Sequence, residues 1–135
     1  MTKRFYFDTS VWLDFYEKRG KNGEYAFRLI VRIINEDCKI AYSDLNIKEL
    51  KHLDYIPDEI DKILSLAKPG NKNHIHIYRE QVEEGRRLAR QRKIPNKDAL
   101  HAILCRDNRL QLIARDLHFE KIKDIANAKK PEELI

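Results

Sequence analysis

The chain reads as an α/β fold, a parallel sheet of four or five strands with helices on both faces. Three observations predict it. Short apolar runs alternate with longer stretches that carry apolar residues at helical spacing. Polar or helix-capping residues follow most of the runs, so strands alternate with helices. The length of 135 residues and a hydrophobic content of 42% suffice for one core, so residues 1–135 are expected to form a single domain.

Phe5-Tyr6-Phe7 is the first strand, a continuous apolar run of the kind buried on both faces. It stops at Asp8-Thr9-Ser10, good helix caps, and Val11, Trp12, Leu13, Phe15 and Tyr16 follow as a helix. Residues 18–23 are polar and glycine-containing, which predicts a turn. A second helix then carries Tyr25, Phe27, Leu29, Ile30, Ile33 and Ile34. Cys38–Tyr42 is the second strand, and Ser43 or Asp44 caps a helix with Leu45, Ile47, Leu50 and Leu53 inward. Pro57 opens the next helix at its first turn, with Ile60, Ile63, Leu64 and Leu66 as its stripe. Ile75 and Ile77 alternate with histidines, which predicts a third strand there. Arg79–Arg92 is a helix with a weak apolar face. Pro95-Asn96 ends it, and residues 97–106 form a second helix, apolar nearly all round and therefore buried. Leu110–Ala114 is the fourth strand. Phe119, Ile122 and Ile125 follow as a short apolar segment, with a weak final strand near Ile125–Ala128.

Composition narrows the functional classes. Charged residues make up 36% of the chain and the net charge is +5, a balance that favours a polyanionic partner. No apolar run exceeds four residues, so neither a membrane span nor a signal-peptide core is expected, and the expected location is the cytoplasm. Cys38 and Cys105 lie within apolar segments without zinc-ligand spacing. They are expected as buried thiols in a reducing compartment.

The chemistry is carried by acids at strand ends. In an open parallel sheet, ligands bind beyond the carboxyl ends of the strands. Asp8 directly follows the first strand and Asp116 follows the fourth by two residues. Asp98 opens the apolar helix, where the helix dipole favours an anion. Glu49 lies about two turns into the helix after the second strand, with reach back to the same edge. Each acid alone has a plainer explanation: Asp8 as a cap, Asp98 as a dipole partner, Asp116 as a turn residue, Glu49 as a solvated helix residue. Together they would converge on one edge, where four like charges repel unless a cation compensates them. An all-oxygen set suits Mg²⁺ or Mn²⁺, which completes its shell with water and phosphate oxygens, the arrangement for metal-assisted phosphodiester hydrolysis. Asp14, Asp44 and Asp107 rank below these four. Asp107 lies at the far end of the helix that Asp98 opens.

Taken in order, Phe5-Tyr6-Phe7-Asp8-Thr9-Ser10-Val11, Ser43-x5-Glu49-Leu50, Asp98-Ala99-Leu100-His101-Ala102 and Arg115-Asp116-Leu117-His118-Phe119 resemble the PIN domain over nearly the whole chain. The type most similar in length and compactness is the VapC-like toxin ribonuclease. The resemblance implies a PIN-like three-layer α/β/α fold, divalent-metal endonuclease activity on single-stranded RNA, and an acidic quartet of Asp8, Glu49, Asp98 and Asp116. Asp8, Asp98 and Asp116 would hold metal, with Ser10 as the small hydroxyl beside the first acid. It also implies a small antitoxin protein as partner and a homodimer. One position departs from the pattern: Ala114 stands where the family usually has Ser or Thr two residues before its last acid.

Basic residues flank the acids. Arg86, Arg90, Lys93 and Lys97 recur at spacings of three or four before Asp98, and Arg115 precedes Asp116. They fit either a phosphate-tracking stripe or a solvated face paired with Glu83 and Glu84. His74, His76, His101 and His118 have no mutual metal-ligand spacing and are expected as ordinary core or surface residues. Two other functions stand against the nuclease. An aspartyl-phosphate phosphotransferase would carry a second Asp where the chain has Ser10. A non-catalytic RNA-binding or protein-interaction domain that retains the fold would cut no RNA.

Overall fold

A computed structural model describes residues 3–135. The strands are β1 (Arg4–Phe7), β2 (Lys39–Ser43), β3 (Lys72–Ile75) and β4 (Gln111–Ile113). They form one parallel sheet in the order β3-β2-β1-β4. Helices α1 (Thr9–Tyr16) and α2 (Gly20–Asn35) connect β1 to β2, and α3 (Asp44–His52) and α4 (Pro57–Leu64) connect β2 to β3. Helices α5 (Arg79–Arg92) and α6 (Asn96–Asn108) connect β3 to β4. From β1 the chain builds outward through β2 and β3, then returns to place β4 on the other side of β1. The strand order therefore reverses between β1 and β4, and a crevice opens above their carboxyl ends.

The layers follow from alternation along the strands. Phe5 and Phe7 point to one face, where they pack with Ile40, Ile113, Trp12, Leu29, Ile33, Leu50 and Ile63. Tyr6 points to the other face with Ala41 and Leu112, against Leu88, Ala102, Ile103, Phe119 and Ile122. Helices α1 to α4 thus cover one face of the sheet, and α5 and α6 cover the other. Helix α6 is apolar nearly all round because it is walled in by the sheet, α5 and the 3₁₀ turn at Leu117–Ile122.

Three elements differ from expectation. The third strand runs Lys72–Ile75 rather than around Ile75–Ile77, because parallel pairing with β2 starts at Ile40↔Lys72 and ends at Ser43↔Ile75. Its polar start, Lys72-Asn73, is allowed on an edge strand that faces solvent on one side. The weak final strand near Ile125–Ala128 is reduced to one bridge, Ile113↔Lys129, beside β4. Helix α2 begins at Gly20, inside the expected turn, with Gly20 itself at φ +57°. Gly23 lets α2 lie directly on α1: a Cβ there would meet the Asp14 carbonyl oxygen at 2.6 Å. No helix among the described residues is long and apolar enough to cross a membrane. Cys38 and Cys105 are both buried and unpaired.

Candidate active site

Asp8, Glu49, Asp98 and Asp116 line one cavity of about 650 Å³ above the carboxyl ends of the strands. Each arrives by a different local route. Asp8 stands at the N-terminal boundary of α1 immediately after β1 and is 7% exposed. Glu49 projects from α3, two turns after β2. Asp98 sits in the first turn of α6 and is 3% exposed. Asp116 caps the 3₁₀ turn after β4, where its carboxylate accepts from the His118 backbone N–H at 2.8 Å.

The four acids form two pairs, each joined by a histidine. His101 Nε2 lies 2.5 Å from Glu49 Oε1 and 3.7 Å from Asp8 Oδ1. His118 Nδ1 lies 2.8 Å from Asp98 Oδ2 and 3.1 Å from Asp116 Oδ1. In each trio the three candidate ligand atoms fall within 4.8 Å of one another. Two hydroxyls orient the first pair: Ser10 Oγ donates to Asp8 Oδ2 at 2.9 Å, and Thr9 Oγ1 donates to Glu49 Oε1 at 2.9 Å. Asn46 Nδ2 holds Thr9 in turn, donating to Thr9 Oγ1 at 3.0 Å. Behind His101, the Tyr6 hydroxyl lies 2.7 Å from Nδ1 and 2.8 Å from Ser43 Oγ.

The electrostatics separate the acids. Burial raises the Asp8 carboxyl above the usual carboxylate range, and the Glu49 charge adds to this against the pull of His101 and Ser10. Burial also raises Asp98, with the charges of Asp8 and Asp116 adding to it. Burial works to raise Glu49 as well. The hydrogen bond and charge of His101, with help from Thr9 and Lys97, outweigh it and hold Glu49 below its ordinary value. His101 shifts the opposite way: burial disfavours its charge, but Glu49, Asp8 and Asp98 raise its proton affinity. His101 thus favours an ionised Glu49, whereas burial and the neighbouring acids work against the charge on Asp8 and Asp98 and leave it undercompensated. A divalent cation would relieve that repulsion, and the carboxylate donors suit a hard ion.

Metal-free Asp8→Asn protein is expected to be more stable than the parent at pH 7, with Tm higher by about 2–4 °C. Because the folded carboxyl is raised, ionising it costs stability. That cost is absent below about pH 3.8 and grows as pH rises through the folded value. Thermal melts in EDTA from pH 3.5 to 8 should show the two proteins converging at the acid end. A variant less stable than the parent at pH 7 would contradict the undercompensated charge.

The PIN domain family model matches residues 5–125. The chain belongs to the PIN domain family. Its fold is also that of two solved structures. One is a chain of the crystal structure of VapBC2 from Rickettsia felis bound to a DNA fragment from their promoter. It is 16% identical with a TM-score of 0.70, covering 94% of this chain and 98% of that one. The other is a chain of a toxin-antitoxin complex from Klebsiella pneumoniae. It is 19% identical with a TM-score of 0.59, covering 94% of this chain and 97% of that one. Among curated proteins, none matches at a significant level.

Within this PIN domain, Ala114 brings no hydroxyl to the site. Ala114, just past β4, is buried and its backbone N–H donates to Lys129 O, while Asp116 accepts from the His118 backbone N–H. The competing acids stay outside the cavity. Asp14 pairs with Arg19 and Arg115, Asp44 is exposed beside His74, and Asp107 lies at the far end of α6 with Arg106 and Gln81.

The basic residues do not form a single stripe. Arg86 and Arg90 are on α5, Lys93 is the left-handed residue at φ 57° that ends it, and Lys97 belongs to α6. Arg86 and Lys97 line the cavity; Arg90 and Lys93 do not. Arg115 is turned away, held by Glu132 at 2.7 Å and by Asp14 at 3.6 Å.

His101, His118, Thr9 and Asn46 were not legible as site residues. A signal for His101 exists in hindsight: it lies three residues after Asp98, on the same side of a helix that is otherwise apolar.

Proposed function

We propose that this PIN domain is a divalent-metal-dependent endoribonuclease acting on single-stranded RNA, the toxin of a VapBC-type toxin–antitoxin pair. The observation that carries the reading is the convergence of four acids on one cavity, with Asp8 and Asp98 undercompensated. PIN domains are generally nucleases. The structural neighbours come from toxin–antitoxin complexes, which supports a small antitoxin protein as partner. A homodimer and a cytoplasmic location belong to the same reading, as does residues 1–135 acting as one domain.

Asp8, Asp98 and Asp116 would hold Mg²⁺ or Mn²⁺. When bound, such an ion supplies charge stabilisation at phosphoryl oxygens and makes water a better nucleophile near neutral pH. The remaining work falls to the chain itself. Glu49 is kept ionised by His101, Thr9 and Lys97, so it can accept a proton or a hydrogen bond from the attacking water. His101 and His118 fix the carboxylates' orientation before substrate arrives, which removes reorganisation from the reaction. Ser10 and Thr9 do the same from the start of α1.

Purified protein is expected to cut end-labelled single-stranded RNA internally in Mn²⁺ or Mg²⁺, to stop in EDTA, and to resume when Mn²⁺ is restored in excess. Folded protein that cuts no RNA in either ion would return the chain to the non-catalytic binding domain considered above.

A further inference from the structure

The acidic cavity has two basic banks, and they stand on opposite faces of the sheet. On one bank, α3 presents Leu45, Lys48, Glu49 and His52 to the cavity, with Leu53 just past its end, residues that share one helical face. On the other, α5 presents Val82 and Arg86, and α6 presents Lys97 and Leu100. Helix α3 packs through Leu50 on the α1–α4 side, whereas α5 and α6 pack through Leu88 and Ala99 on the opposite side. The acids lie between the banks.

Lys48 and Arg86 stand out among the cavity's cations. Lys97 is drawn toward Glu49 at 3.8 Å and Arg19 toward Asp14 at 3.5 Å. Lys48 and Arg86 are exposed, and among the described residues neither makes an ion pair or a side-chain hydrogen bond. The cavity lining holds four carboxylates and four permanent cations, Arg19, Lys48, Arg86 and Lys97. The four cations offset the four carboxylates, and Lys48 and Arg86, which no acid engages, are left to meet a polyanion. The cavity's apolar lining, Leu13, Leu45, Leu53, Val82 and Leu100, offers contact for unstacked bases but no hydrogen-bond code, as expected for single-stranded nucleic acid held without strong sequence readout.

We propose that Lys48 on α3 and Arg86 on α5 grip the phosphates on either side of the acids, so that a single RNA strand crosses the sheet edge from one bank to the other. This rests on the ribonuclease reading and adds the α3 bank to it.

The test is fluorescence anisotropy with a single-stranded RNA of about 12 nucleotides in EDTA, across a salt series. Each phosphate contact contributes about 0.7 to the slope of log K against log salt for a single strand. Lys48→Ala and Arg86→Ala should each flatten the slope by about 0.7, and the double variant by about 1.4. In Mn²⁺ each variant should raise KM while kcat stays within twofold, roughly, since remote phosphate contacts bind ground and transition states alike. Lys62→Ala, an exposed α4 lysine outside the cavity, should keep the parent's slope. If RNA binds and is cut but Lys48→Ala keeps the parent's slope, the α3 bank is not a phosphate site while the nuclease reading stands. An equal loss in Lys62→Ala would likewise reduce the banks to general surface charge. If the parent neither binds nor cuts RNA, the nuclease reading itself falls.

Discussion

Asp98→Ala is expected to lower metal-dependent RNA cleavage by more than about 100-fold, since even residues behind a metal ligand cost roughly 10–100-fold when removed. Asp107→Ala is expected to leave it within a few-fold. The two acids share α6 but sit at opposite ends, about 13 Å apart at 1.5 Å per residue. Asp98 is in the first turn, buried in the cavity and held by His118 at 2.8 Å. Asp107 is committed elsewhere: Gln81 Nε2 donates to it at 3.0 Å and Arg106 Nε at 2.9 Å. Its removal costs a surface interaction worth about 1 kcal/mol or less, because Arg106 keeps its two-pronged pair with Glu84. Cleavage at saturating Mn²⁺, with circular dichroism to confirm folding, measures both. Activity lost in Asp107→Ala but retained in Asp98→Ala would dismantle the proposed site.

The largest effect on stability is expected at His101. Its ring is fully buried, with Nε2 on Glu49 and Nδ1 on the Tyr6 hydroxyl. His101→Ala leaves Glu49 as a mostly buried anion with only Thr9 and Lys97 to offset it, and deprives Tyr6 of a partner. Removing one member of such a pair costs about 3–5 kcal/mol. The sign of its pH dependence follows from both partners. His101 is raised, so its contribution is full below about pH 6.5 and fades as pH rises through its folded value. Glu49 is lowered, so its contribution is full above about pH 4.5 and fades as pH falls through its folded value. The penalty of His101→Ala should therefore be largest between about pH 4.5 and 6.5. Urea titrations in EDTA at pH 5.5 and 9 measure it. A penalty under about 1 kcal/mol at pH 5.5 would mean that no buried ion pair exists.

The site was partly legible. Asp8 and Asp116 could be found because an acid within a few residues of a parallel strand's end emerges at the sheet's carboxyl edge, whatever the strand order. Asp98 could be found because it opens a helix. The histidines were harder. His101 is one polar residue in an apolar helix, and that pattern fits a core histidine equally well. His118 pairs with Asp98, twenty residues earlier, so no local spacing marks it. Nothing in the sequence singles out Lys48 and His52, because a helix face beside a cleft has the same composition as one facing water.

What the sequence determined by itself is therefore local. Periodicity set most of the strands and helices, the apolar character of residues 99–105 buried α6, and strand-end placement brought Asp8 and Asp116 to one edge. The tertiary structure alone decided that β4 lies beside β1 and that the third strand starts at Lys72. It also decided that the run from Arg86 to Lys97 breaks at a left-handed Lys93, and that each pair of acids is joined by a histidine. These depend on contacts between residues tens of positions apart, Tyr6 with His101 and Glu49 with His101 among them. Local patterns carry the energy of forming an element. Which elements meet is decided by packing over the whole core, and no short stretch of sequence encodes it.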